Sequence, residues 1–265
     1  MKIVSPITVR AVYGRTLEVN ILGEQKVCNF DCTYCSLGAS QIRISRLKQD
    51  AAFTPLDEII TAVGRALGEA AQSGDSIETI LVAGNGEPTL HPMFFQFAKA
   101  LVARRAELAS STNRFNADGL GKTRIVCLTN GDRLDDRDIV DALGLFDECI
   151  VRLDGGTEKA FKKINRPLSR SSLEKIILGT RALKNLSVQT TVVGGDFSLV
   201  NAPQLEEWIE VLAMLNPKKV YLNRAQAPCA DPTVEFVTDD EMHRISHWLD
   251  RRLKIKAQVE LGSAA

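Results

Sequence analysis

The 265-residue sequence predicts an α/β fold, a partial (βα)6 TIM-like barrel with parallel strands and outer helices. Three observations point there. Strand-like runs alternate with helix-like runs along the chain. The strand-like runs are short, continuous and rich in Val and Ile, as in strands buried on both faces of a parallel sheet. Strand after strand ends in a cluster of Gly and polar residues, and functional loops gather at that edge of such sheets.

The elements follow in order. TLEVNIL (16–22) reads as the first strand and leads into a cysteine-bearing loop. Thr54 is expected to cap the next helix, with Pro55 in the first turn and Asp57 at the positive end. Ile59, Ile60, Val63 and Leu67 give that helix one apolar face as far as about Gln72. IETILVAG (77–84) is a strand, 91–108 a helix, TRIVCLTNG (123–131) a strand and 135–144 a helix. ECIVRLDGG (148–156) is a strand followed by helices over 157–164 and 171–184. SVQTTVVGG (187–195), a helix over 202–215, KKVYLN (218–223) and a closing helix over 238–251 complete the series. The polar segment 110–123 reads as a surface loop. No linker divides the chain, so one domain is expected, with a barrel core at about 16–225 and a C-terminal helix and tail over 226–265.

Lys plus Arg and Asp plus Glu each number 33, so the net charge is zero, which weighs against a strongly basic nucleic-acid binder while leaving a local patch open. No run of 18 apolar residues occurs, so no membrane span is expected. The start, MKIVSPITVRAVYGR, lacks the apolar centre of a signal peptide. A reducing, cytoplasmic location follows as an expectation, in which thiols serve as metal ligands or buried hydrophobes.

Three of the six cysteines fall in CNFDCTYC: Cys28, Cys32 and Cys35. Thiolates at such spacing can face one soft metal centre, and iron–sulfur clusters are held in this way. The motif offers no fourth cysteine. The alternative is structural zinc, which normally takes four ligands; His91 is the nearest histidine. Cys127 and Cys149 lie in strand-like runs and read as buried hydrophobes, whereas Cys229 sits in a loop, APCADP.

C-x3-C-x2-C with Tyr34 before its last cysteine, followed by GNGEP at a strand end, resembles the radical SAM enzymes. The stretches GNGEPTLHP, LTNG, RLDGGTEKAFKKINRP and VYLNRA resemble a branch of small Fe–S oxidoreductases related to the tRNA wybutosine-synthesis enzyme. The resemblance spans roughly residues 10–225. It implies a 4Fe–4S cluster on Cys28, Cys32 and Cys35, with S-adenosylmethionine on the fourth iron. Reductive cleavage of that molecule would give a 5′-deoxyadenosyl radical that abstracts hydrogen from an unidentified substrate. Glu87 would accept from the S-adenosylmethionine amino group, and Gly84 and Gly86 would let the backbone approach closely. Asn85 departs from the commoner Gly-Gly-Glu form but tolerates left-handed geometry. Tyr34 would lie near the adenine. Asn130, Asp154 and Gln189 or Thr191 would bond ribose or carboxylate, and Arg152 would pair with a carboxylate. With no second cysteine cluster or flavodoxin-like region in the sequence, electrons are expected from a separate flavodoxin or ferredoxin.

Plainer roles stand beside these. Glu87 can serve as a helix N-terminal charge and His91 as a cap. His243 and His247, four apart on the last helix, read as a surface pair. The basic run Lys159, Lys162, Lys163, Arg166 and Arg170 reads as a solvated face or an anion contact. The competing function is a non-catalytic iron–sulfur or zinc module that carries electrons or binds a partner.

Overall fold

The computed structural model describes residues 2–40, 53–111, 121–168 and 170–261. Much of the expected loop at 110–123, and the tail at 262–265, lie outside the described residues. Eight strands form one curled sheet in chain order: β1 (Thr8–Arg10), β2 (Gly14–Val19), β3 (Thr79–Val82), β4 (Arg124–Thr129), β5 (Glu148–Arg152), β6 (Leu186–Val192), β7 (Val220–Arg224) and β8 (Gln258–Glu260). β1 runs antiparallel to β2, and every other pairing is parallel. The sheet is a half-barrel, and β2 to β7 are the six strands that the sequence predicts. The flanking β1 and β8 have three residues each, too few to show a pattern, and were not expected.

The helices are α1 (Leu56–Ser73), α2 (Phe94–Ser111), α3 (Arg137–Leu143), α4 (Glu158–Ile164), α5 (Leu173–Thr180), α6 (Ala202–Leu215) and α7 (Asp239–Leu253). Side chains alternate across each strand. Ile80, Val82, Ile125, Cys127, Cys149 and Val151 belong to the main core with the helices. Leu81, Val126, Ile150 and Tyr221 point the other way and, with Tyr13, form a separate apolar floor inside the half-barrel. Cys127 and Cys149 are register partners, fully buried and free, so they act as small hydrophobes.

Most helices start on a side-chain cap: Asp136, Thr157, Ser172 and Thr238 each accept an amide N–H of the first turn. Thr54 does not cap α1. Pro55 occupies the cap position with φ −58 and ψ 142, which starts the helix at Leu56 and leaves Thr54 one residue too far upstream. Its carbonyl instead meets His91 Nε2 at 3.0 Å. A 3-10 turn at Pro88–Leu90 takes up the residues before α2, so that helix begins three positions later than expected.

Candidate functional site

The cysteine loop leaves the end of β2 and is joined to the GNGEP loop after β3 by backbone bonds. Val27 N donates to Asn85 O at 2.9 Å, and Glu87 N donates to Val27 O at 2.9 Å. Gly86, at φ +132, permits this approach; a Cβ there would stand 1.9 Å from Val27 O. The close backbone approach that this glycine permits here is to the cysteine loop. Asn85 does not use left-handed geometry, which among non-glycine described residues is confined to Arg166, Asn216 and Lys254. Its side chain explains it instead: Nδ2 donates to Gly23 O and Glu24 O, both at 2.9 Å, tying down the start of the cysteine loop.

A cavity of about 660 Å³ opens at the C-terminal ends of the strands, and Cys28, Cys32 and Cys35 line it. Gly84, Asn85, Gly86 and Glu87 face it, and so do Tyr34, Asn130, Arg152 and Gln189. Asp154 is not part of its lining. Among the expected site residues, the structure thus gathers all but Asp154 around one space.

Two buried carboxylates brace the cysteines from behind. Glu87 Oε1 accepts from Thr89 Oγ1 and Thr129 Oγ1, both at 2.7 Å, and from Thr89 N at 3.2 Å. Its Oε2 accepts from Asn130 N at 2.6 Å. Asn130 Nδ2 then donates to Asn29 Oδ1 at 2.6 Å and lies 3.9 Å from Cys28 Sγ. On the other side Asp154 accepts from Tyr34 Oη, from Asn165 Nδ2 at 2.5 Å and from Thr191 N at 2.7 Å. Asn165 Nδ2 also lies 3.5 Å from Cys32 Sγ. Glu87 also caps the 3-10 turn through Thr89 N, so the helix-terminal role is present too. Burial pushes both carboxyls above the usual carboxylate range, against the hydrogen bonds they accept.

The Cys28 and Cys32 sulfur atoms meet their N–H donors at 3.5–3.9 Å. Burial, with Cys32 adding, pushes the Cys28 thiol up to about 12. Burial, with Asp154 adding, pushes Cys32 up to about 11. Only a strongly positive centre would hold such thiols as thiolates. Among the described residues no three His, Cys, Asp or Glu side chains are grouped to hold a single metal ion. Zinc draws its ligands to one point at about 2.3 Å, whereas a cluster spreads thiolates over separate irons. Structural zinc normally takes four ligands, and the cavity brings together three thiolates, so the donor set fits an iron–sulfur cluster.

Sequence reasoning missed several of these residues. Asn29 and Asn165 carry no spacing signal, because their partners lie 101 and 11 residues away. Lys26 is taken up in the loop itself: Nζ donates to Gly38 O and lies 3.6 Å from Asp31. His91 is structural: Nδ1 accepts from Met93 N at 3.1 Å. His243 and His247 lie on α7, away from the cavity. Part of the basic run is committed internally, with Lys162 on Glu158 and Arg166 on Asp231.

A half-barrel with three cysteines on the loop after its first parallel strand, facing a glycine-rich strand end, defines a class. The radical SAM superfamily model matches residues 25–215, and the chain belongs to that superfamily. A UPF0026 protein of Synechocystis, slr1464, is 32% identical over 223 residues, 82% of this chain and 72% of that one. The chain spans smaller shares, 33% and 47%, of other curated relatives. Among solved structures, a radical SAM methyltransferase from Sphaerobacter thermophilus shares the fold at TM-score 0.61 and 18% identity, over 94% of this chain and 67% of that one. TYW1 with a lysine–pyruvate adduct bound matches at TM-score 0.60 and 15% identity, over 89% and 73%. Among the described residues no helix is long and apolar enough to cross a membrane.

Proposed function

We propose that this chain is a radical SAM enzyme whose Cys28, Cys32 and Cys35 hold a 4Fe–4S cluster. When bound, such a cluster supplies one electron for reductive cleavage of S-adenosylmethionine, yielding a carbon radical that takes hydrogen from a substrate. The observation that carries the reading is the sharing of one cavity by the three cysteines and Gly84–Glu87. The chain's own residues position and insulate. Asn130 and Asn165 aim N–H groups at Cys28 and Cys32. Glu87 Oε2 accepts one bond among the described residues and keeps capacity for an ammonium group. Among the described residues Arg152 makes a single hydrogen bond, to Tyr34 Oη at 3.3 Å, and leaves most of its donors for a carboxylate. Asp154 acts through Tyr34 and Asn165. A flavodoxin or ferredoxin would deliver the electron from outside.

Anaerobic reconstitution tests this. Iron should be retained, addition of S-adenosylmethionine should change the electron paramagnetic resonance of the reduced cluster, and 5′-deoxyadenosine should be released. Cys32→Ala should abolish iron retention. An unchanged spectrum without cleavage would overturn the reading.

One observation favours the non-catalytic module. Cys229 packs in the same apolar group as Tyr34 and Cys32, and its thiol, pushed up mainly by burial, feels Asp231 and Cys35. A fourth thiolate there would close the cluster and suit an electron carrier.

A further inference from the structure

Below the cysteine loop, the inner wall of the cavity carries charges and polar atoms, among them Gln189, which the family resemblance would give to the cofactor and which the sheet register sets beside two residues with no cofactor role. Arg10 on β1 is paired with Glu18, and Arg224 on β7 with Asp239 and the Leu261 carbonyl. Both cations are thus satisfied within the chain. Three acceptors are not. Gln189 on β6 is buried at 2% exposure; its Nε2 donates to Tyr13 Oη at 3.2 Å, while Oε1 has no partner among the described residues. Asn223 Oδ1 on β7 is buried and likewise has no partner among the described residues. Glu260 on β8 lines the same cavity, and its carboxylate has no hydrogen bond or ion pair among the described residues.

The sheet register brings these three together. Asn223 is the direct partner of Glu260, and Gln189 is the partner of Tyr221, two residues before Asn223 on the same face. Neighbouring strands lie about 4.8 Å apart and successive residues on one face about 6.6 Å apart, so Asn223 adjoins Glu260 directly and Gln189 diagonally. A buried acceptor without a donor is costly unless a ligand satisfies it. Three acceptors, one of them charged, match the three N–H donors of an ammonium group.

We propose that the β6–β8 wall receives a protonated primary amine of the substrate, with Glu260 as its counter-ion and the Gln189 and Asn223 amide oxygens as its further acceptors. This rests on the radical SAM reading, since it takes the upper part of the cavity to be filled by cluster and S-adenosylmethionine. The substrate class is then an amine-bearing molecule, free or as the side chain of a peptide.

The test uses cluster-reconstituted full chain saturated with S-adenosylmethionine. L-lysine, putrescine, ethanolamine and a lysine-containing tripeptide are titrated beside their N-acetylated forms, with binding read by calorimetry. At least one amine should bind, its acetylated form should not, and Glu260→Gln should weaken the amine about tenfold or more. Asn223→Ala should weaken it less. Iron content and S-adenosylmethionine affinity of Glu260→Gln should match wild type. Silence of every amine, equal binding of acetylated forms, or unchanged affinity in Glu260→Gln would overturn the proposal. A weakened S-adenosylmethionine affinity in Glu260→Gln would also overturn it, by assigning the wall to the cofactor. Failure of the wild type to hold iron or S-adenosylmethionine would instead sink the underlying reading.

Discussion

Asn165 Nδ2 stands 3.5 Å from Cys32 Sγ and 2.5 Å from Asp154 Oδ2, so one side-chain amide links a cysteine of the triad to a buried carboxylate. An N–H aimed at a thiolate stabilises the more reduced cluster, and partners of this kind tune metal sites. Asn165→Leu should therefore retain the fold, lose about 10–100-fold in iron affinity or S-adenosylmethionine cleavage, and move the cluster to a more negative midpoint potential. Potentiometric titration followed by electron paramagnetic resonance checks this. An unmoved potential would show that the amide serves only packing.

Gly86 fixes the cysteine loop to the sheet. Its φ is +132, and a methyl group at this position would collide with the Val27 carbonyl. Gly86→Ala must break the Val27 bridge or strain the backbone, at a cost of about 2–4 kcal/mol. Reduced melting temperature together with poor iron incorporation is the expected outcome. Gly74→Ala serves as the contrast: it too has positive φ, but its added Cβ meets nothing within 4 Å.

The legible part of the molecule was the part with a local signature. Six parallel strands followed from Val- and Ile-rich runs, and the cysteine triad from its spacing. Thr54 was misplaced as a cap because a Pro at position 55 can sit either at the cap or one residue later, and φ −58 suits both. Asn85 was assigned a backbone role when its side chain does the work, which no single-residue preference reveals. Asn223 and Glu260 stay hidden because long-range register alone brings them to the cavity, and Asn29 and Asn165 because the tertiary fold alone sets their partners Asn130 and Asp154.

Glu148, at the N-terminal end of β5 and away from the cysteine loop, should set acid stability. Burial alone would raise its carboxyl. The Ser187 and Tyr221 hydroxyls, at 2.6 and 2.7 Å, with Lys219 and Arg124, outweigh that and hold it below the usual range. A lowered folded value contributes stability that is fully present above the unfolded value of 4.5 and is lost as pH falls through the folded one. Glu148→Gln should cost about 1–3 kcal/mol at pH 7. Its gap from wild type should shrink as melts are repeated below pH 4.5. A gap independent of pH would assign the loss to packing.

Cys229 separates the two functional readings. If the cluster is open at one iron, Cys229→Ala keeps iron content and keeps the spectral response to S-adenosylmethionine. If Cys229 closes the cluster, the same change lowers iron retention or creates that response anew. Iron assay and electron paramagnetic resonance on the reconstituted variant decide the matter.

Glu87 carries two duties that substitution can pull apart. Its Oε1 is filled by three donors, from Thr89 and Thr129, while Oε2 holds the Asn130 N–H alone among the described residues. Removing the carboxylate orphans buried donors, so Glu87→Ala should lose about 3 kcal/mol or more of stability along with iron retention. Glu87→Gln preserves the volume and part of the acceptor set but removes the charge. Burial already disfavours that charge, and an incoming ammonium is what would offset it. Glu87→Gln should therefore hold iron yet bind S-adenosylmethionine about tenfold more weakly or worse. Equal S-adenosylmethionine affinity in Glu87→Gln, measured by calorimetry on the iron-loaded protein, would confine Glu87 to bracing Asn130 and the turn at Pro88–Leu90.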